Sequence, residues 1–280
     1  MRSARGSSVF GFLRKSPIFP WAGDRLRSAR AGGETDQSVL RGLACGAHLK
    51  YANGDPWNTV ADPRPAPTWE RTRLKSMWNV TDTQQWQETV QELLDGQIST
   101  PLWDMAMGAR AALLVRRQGT PEAGQPVSEQ AWNDALGRWL VDRLGPHHPE
   151  LRDTSAALRE TVSRVLRYEA RFREDGLLHH DAVVRRTLAW DLGRAANMAC
   201  WGVDAGFAQS DEAREALRVV GSAAAEEYDT WRDFSLGYVL GRCLHFDEDA
   251  FGSWYREVRD SHRLLTADRK SPWTALPLRG

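Results

Sequence analysis

The strongest constraint in this chain is a run of three helical periodicities set end to end between Leu178 and Phe246. From Asp181 to Trp201 the residues Leu188, Leu192, Ala195 and Ala199 recur at three- and four-residue spacing. At about 100° per residue they form one apolar stripe. The flank opposite carries Thr187, Trp190, Asp191, Arg194, Asn197, Met198 and Trp201 within roughly 120° of one another. Asp191 and Arg194 are i,i+3 partners, close enough to pair. A helix that is apolar on one side and aromatic-plus-charged on the other leaves little face for solvent, so the rest of the chain has to be arranged around it.

The pattern breaks at Gly202, and Gly202 to Phe207, with two glycines and Asp204, reads as a turn. A second helix opens at Ser210, with Asp211 and Glu212 in its first turn and Ala213, Leu217, Val220 and Ala224 facing inward. A third runs from about Thr230 to His245, with Trp231, Phe234, Tyr238, Arg242 and His245 along one stripe. Gly237 and Gly241 lie four apart in it. Each glycine inside a helix costs about 1 kcal/mol against alanine, which points to another backbone passing close by. The Asp191/Arg194 face is expected to meet the Tyr238/Arg242 stripe across these glycines.

The order Ala189-Trp190-Asp191-Leu192-Gly193-Arg194-Ala195, then Trp201-Gly202-Val203-Asp204-Ala205-Gly206-Phe207, then Trp231-x-x-Phe234 and Tyr238-x-x-Gly241-Arg242 resembles the bacterial domain-of-unknown-function 1266 family. Ser271-Pro272-Trp273 near the end and Asn53-Gly54-Asp55-Pro56-Trp57 near the start carry the same resemblance, which extends over roughly Asp36 to the C-terminus. It implies a bacterial, helical domain and implies no activity.

With 37 basic and 37 acidic residues the formal net charge is zero, which removes a global electrostatic argument for nucleic acid or membrane binding. No apolar run approaches the ~20 residues of a membrane span. Lysine occurs only at positions 15, 50, 75 and 270, the other bases being arginine. Thirteen tryptophans, spread along the chain, suit core anchors better than one stacking pocket. Cys45, Cys200 and Cys243 are isolated and odd in number. They argue for a reducing compartment, hence a cytoplasmic location, and against a disulfide framework.

Residues 1–35 lack a core pattern and are expected to be a disordered basic tail, or an over-long start, with a lipid- or RNA-touching arm as the functional reading. Asp36 to Tyr51 reads as a helix with Leu40, Leu43, Ala44 and Ala47 inward, followed by a turn at Asn53–Trp57 and a stiff linker over Asp62–Pro67. Helical patterns follow over 68–77, 83–95, 101–118, 128–144, 150–174 and 250–265, and Pro272, Trp273 and Leu276 are placed to strap the C-terminus back onto the body. No β-alternating run exceeds about four residues. The expected fold is therefore all-α, an irregular bundle of about eight to nine helices. Residues 36–280 form a single domain in which sub-bundles 36–145 and 150–280 remain an open division.

Phosphate-loop, dinucleotide, zinc-protease and serine-hydrolase motifs are absent, and no cofactor or metal is called. His179-His180-Asp181 and His245-x-Asp247-x-Asp249 have ligand chemistry, yet each sits at a helix end where His and Asp are ordinary caps and dipole partners. The aromatic excess favours a non-enzymatic helical module that binds a protein partner. The alternative is an enzyme or small-molecule binder in which Arg194 and Arg242 clamp a phosphate or carboxylate near Asp191, in a pocket of Trp190, Asn197, Trp201, Asp204, Trp231 and Tyr238. Geometry separates the two. Guanidiniums opening into a cleft favour the pocket, and an Arg194 buried against Asp191 makes the cluster scaffold.

Overall fold

The computed structural model describes residues 26–29, 31–62, 64, 66–121 and 125–279. Residues 1–25, most of the expected tail, lie outside the described residues. All twelve helical segments among the described residues are α-helices, and no strand occurs. They are α1 (Gln37–Cys45), α2 (Ala47–Asn53), α3 (Pro67–Trp78), α4 (Thr83–Leu94), α5 (Pro101–Arg117), α6 (Glu129–Leu144), α7 (Leu151–Glu174), α8 (Leu188–Ala205), α9 (Ser210–Glu227), α10 (Trp231–Phe246), α11 (Ser253–Ala267) and the single turn α12 (Pro272–Ala275). No helix among the described residues is long and apolar enough to cross a membrane.

The helices outnumber the eight to nine expected, and two departures have clear causes. The first predicted helix is two, because the chain bends at Gly46 around Asn197, whose Nδ2 donates to the Gly46 carbonyl at 3.1 Å. The closing tail folds into α12 because Trp273 docks, its indole N–H donating to the Ala44 carbonyl at 2.9 Å. Residues 26–29 and 31–35, read as tail, are tied to the turn after α2: Ala29 N–H donates to Asn58 Oδ1 at 2.7 Å, and Glu34 N–H to the Asn58 carbonyl at 2.8 Å.

Helix α8 is the hub. It packs against α1, α2, α3, α4, α9 and α10, and of its residues only Leu188, Val203 and Asp204 escape full burial. It begins seven residues later than the periodicity suggests. The preceding segment finds its hydrogen bonds elsewhere: Val184 N–H donates to Glu169 at 2.8 Å, and Arg110 and Arg173 donate to the Val184 and Ala182 carbonyls. Backbone groups satisfied by side chains have no need of a helical turn. At the other end α8 runs through Gly202 to Gly206, whose φ of 74° makes the left-handed cap. Gly202 is there for a different reason: a Cβ at this position would collide with the Trp86 indole, whose N–H donates to the Met198 carbonyl at 2.9 Å.

The expected meeting of α8 and α10 is present. A Cβ on Gly241 would lie 2.5 Å from that of Trp190, and one on Gly237 would lie 2.5 Å from the Arg186 carbonyl. Trp190 meets Tyr238 edge to face at 5.0 Å between ring centres. Helix α1 crosses α9 just as closely at Gly42, where a Cβ would run into the Leu217 carbonyl. Helices α5, α6 and α7 pack on one another, so contacts cross the 145–150 division. The buried pair Arg110–Glu169 (2.9 Å) joins α5 to α7, with Trp132 under the guanidinium at 4.3 Å.

A polar chain ties α2, α10 and α11 together inside this core. His48 bonds Ser261 at 2.7 Å through Nδ1 and Ser235 at 2.9 Å through Nε2, and Ser235 bonds His262 at 2.7 Å. Burial depresses both imidazoles, His48 well below the ordinary value and His262 to about 3.

Two predictions follow from this packing. Gly42→Ala should destabilise by about 1–3 kcal/mol, because α1 and α9 must move apart. Gly108→Ala, whose Cβ would meet nothing within 4 Å, should stabilise by about 0.5–1 kcal/mol. Urea denaturation of the two variants measures both signs. The histidines set a pH dependence. Below pH ~6.5 the unfolded chain takes up protons that the folded imidazoles refuse, so stability is present above that pH and falls as pH drops toward 3. The slope is up to about 1.4 kcal/mol per pH unit for each histidine. His262→Gln should flatten the denaturation midpoint against pH, relative to the unaltered protein, between about 6.5 and 4.

Candidate functional site

Helix α8 separates two polar groupings. The first lies along its middle and contains most of the residues singled out above. Asp191 and Arg194, 2% and 5% exposed, form an ion pair with each other. Arg194 also donates to Ser99 Oγ at 3.1 Å and lies over the rings of Trp190 (4.6 Å) and Trp78 (5.7 Å). Burial pushes the Asp191 carboxyl up and the Arg194 guanidinium down, each partner offsetting part of the cost to the other. Arg242 is buried and pairs with Glu257 at 3.0 Å, with Trp254 beside it. Tyr238 is stacked on His48 at 4.3 Å. Asn197, fully buried, bonds the Gly193 and Gly46 carbonyls. Trp231 donates to the Leu276 carbonyl at 2.8 Å and stacks on Trp273, holding the C-terminal strap. Each of these groups is engaged with the core, and none of them lines the cleft described next.

The second grouping surrounds the C-terminal end of α8. There a cleft of about 570 Å³ is lined by the end of α2, residues 54, 55, 62 and 64 after it, the start of α3 and the last turn of α8. From the predicted set it takes Trp201 and Asp204. The others are Arg27, Lys50, Asn53, Gly54, Asp55, Asp62, Arg64, Trp69, Glu70 and Arg73. Local folding explains their placement. Gly54, with φ 67°, caps α2 and turns the chain back, so Lys50 in the last turn of α2 lies beside Asp55, whose N–H donates to the Lys50 carbonyl at 2.9 Å. Asp62 N–H donates to Asp204 Oδ1 at 2.8 Å, fastening the supposed linker to α8. Arg71 Nε donates to the Ala205 carbonyl at 2.7 Å, fastening α3 to the same helix end.

Four acids and four bases meet here, and most pair off. Arg64 takes Asp62 (Nε to Oδ1 at 2.8 Å) and reaches Asp55 at 3.4 Å. Arg73 takes Glu70 (Nε to Oε1 at 3.0 Å) and packs over Trp201 at 4.1 Å, with Trp69 on its other flank at 5.5 Å. Arg27 is exposed at the mouth. Lys50 is only 3% exposed, and among the described residues no carboxylate oxygen comes within the 4.0 Å of an ion pair. Burial works against its charge, but the Cys200 sulfur, which shares a hydrogen bond with the ammonium, and the Asp55, Asp204 and Asp62 carboxylates more than offset that, so its pKa lies above the ordinary lysine value. Asp204 is the mirror image. Burial outweighs its single backbone hydrogen bond and the field of Lys50, and lifts its carboxyl to about 6. The Trp201 indole N–H finds no acceptor among the described residues.

Sequence reasoning missed Lys50, Asp62, Arg64, Glu70 and Arg73. One signal was available: Lys50 continues the inward stripe Leu40, Leu43, Ala44, Ala47 at helical spacing, and lysine on an apolar stripe is rare unless something needs it. Of the two metal candidates, His179, His180 and Asp181 each bring a ligand atom within 4.8 Å of the others, all exposed at the surface. The second set is otherwise engaged. Asp247 accepts from Tyr168 and from the Phe251 and Gly252 amides, and Asp249 pairs with Arg164 and Arg167. All three cysteines are free and buried, Cys200 and Cys243 in helices as expected.

The family profile described as "Protein of unknown function (DUF1266)" matches residues 73–278. That span contains Arg73, Trp201 and Asp204 of the cleft and the whole Asp191–Arg194 cluster, while Lys50 and the Asn53–Trp57 turn precede it. No curated protein and no solved structure matches the chain. Because the profile covers well over half of the residues, the chain belongs to the DUF1266 family.

Proposed function

We propose that the protein is a small-molecule binder and that its ligand carries an anionic group, a carboxylate or a phosphate, held on Lys50 at the floor of the cleft beside Trp201. The observation that carries this reading is a buried ammonium with no ion-pair partner, lining an open cavity. The surrounding carboxylates keep Lys50 charged without any of them forming an ion pair with it. An anionic group on a ligand can form that pair, and ligand sites are concave with a few such polar groups at their base. Arg194 and Arg242, the anchors suggested by the helical faces, are each committed to a carboxylate. Lys50 takes over their role.

Binding is favoured over catalysis by the chemistry of the cleft. Lys50 is held as an ammonium and is no nucleophile, and burial raises the Cys200 thiol away from its reactive form. A partner-docking module has weaker support. The large apolar side chains left exposed, Trp69, Val115, Trp139, Val141 and Val219, are scattered over four helices. Scattered exposed hydrophobics are ordinary on a protein surface.

A thermal-shift panel of carboxylates, phosphorylated metabolites and inorganic phosphate tests the reading. A probe at about one hundred times its Kd should stabilise the protein by about 2.7 kcal/mol. The response should vanish in Lys50→Met and persist in Arg242→Ala, whose partner Glu257 keeps access to solvent. Arg194→Ala should cost about 3–5 kcal/mol of stability, because it strands a buried carboxylate, and should still respond. A response abolished by either arginine change and kept in Lys50→Met would refute the assignment.

A further inference from the structure

Once the ion pairs of the cleft are assigned, three charges keep no ion-pair partner among the described residues: the Arg27 guanidinium, exposed at the mouth, and two opposite charges deeper in, the Lys50 ammonium and the Asp204 carboxylate. They do not pair with each other, and among the described residues neither forms any other ion pair. Asp204 accepts one hydrogen bond, from the Asp62 amide at 2.8 Å. Both residues line the same cavity of about 570 Å³.

This arrangement discriminates between ligand charges. A plain anion on Lys50 would face the carboxylates of Asp55, Asp62 and Asp204, which already act on that ammonium. A plain cation on Asp204 would face Lys50. A molecule carrying both charges satisfies the two poles at once and leaves neither repelled. The helix ends favour the same polarity. Asp204 lies in the last turn of α8, where the terminal carbonyls add partial negative charge. A ligand cation is welcome there, although the Gly202 and Val203 carbonyls already accept from the backbone amides of Gly206 to Ala208 and the Ala205 carbonyl from Arg71.

Resting on the reading of this cleft as the ligand site, we infer that the ligand is a zwitterion of the amino-acid type, its carboxylate on Lys50 and its ammonium on Asp204, beside Trp201. Lys50 and Asp204 then set specificity together, each rejecting a molecule that lacks the complementary group, because a buried charge left unpaired penalises the wrong ligand more than a good contact rewards the right one.

The test is a thermal-shift panel of the twenty common amino acids, each in three forms: free, N-acetylated (ammonium removed) and methyl ester (carboxylate removed). The expected result is that at least one free amino acid raises Tm by several degrees at millimolar concentration, while its N-acetyl and ester forms do not. Asp204→Asn should lose the response to the free form and gain one to the N-acetyl form, and Lys50→Met should lose both. If N-acetyl forms, simple carboxylates or phosphate stabilise as well as the free amino acids, the ammonium is not read. The zwitterion assignment then falls while the anion-binding cleft stands. If no form of any amino acid and no carboxylate or phosphate shifts Tm, both fall together.

Discussion

A helix buried on every side has no solvent face on which to put its polar groups, and α8 is such a helix. Six other helices pack against it, so each of its polar side chains must find a partner inside the protein or lie at an end. Small residues let the neighbours in: Gly193 admits the Tyr238 ring and Gly202 the Trp86 indole. Along its middle the charged and amide groups answer this demand, while the Trp190 indole N–H and Asn197 Oδ1 find no partner among the described residues. Asp191 takes Arg194, and Asn197 bolts the bend between α1 and α2. The packing opens at its ends, and near the C-terminal one Asp204 escapes full burial and meets the cleft.

This geometry explains why the densest cluster and the open site differ. Close-packed aromatics surround this ion pair, but a buried ion pair contributes little net stability, and breaking it is what costs. Its use here is to fix how α8 lies against Trp78 and Ser99. The cleft has the opposite economy. Lys50 and Asp204 line one cavity with opposite charges and form no ion pair with each other, an arrangement that the proposed ligand would complete. Groups kept in such environments often carry function at some expense to stability.

Much of the architecture was legible in the sequence because helical periodicity and capping are local. The all-α class, the α8–α10 contact at Gly241, and the docking of Trp273 all follow from residues a few positions apart. Boundaries were lost where distant side chains override local preference. Residues 181–187 stay out of the helix because Glu169, Arg110 and Arg173 take their backbone groups. The break at Gly46 depends on Asn197, far along the chain. The site was half legible for the same reason. Trp201 and Asp204 stood out on α8, but Lys50, Asp62, Glu70 and Arg73 come from segments that read as a helix end, a linker and a separate helix. Only the fold brings them to one place, and a stripe position filled by lysine was the single local clue.

The account stands on Lys50 and Asp204 being neighbours that do not pair. The most direct measurement is an NMR titration of the Asp204 side-chain carboxyl in the ligand-free protein. The account predicts a midpoint near 6, where burial has lifted it, and a further rise in Lys50→Met, where the nearby positive charge is gone. A midpoint at or below the ordinary aspartate range of about 4 would mean that Asp204 is ion-paired in solution, and that the cleft does not hold the two open charges on which the proposed function rests.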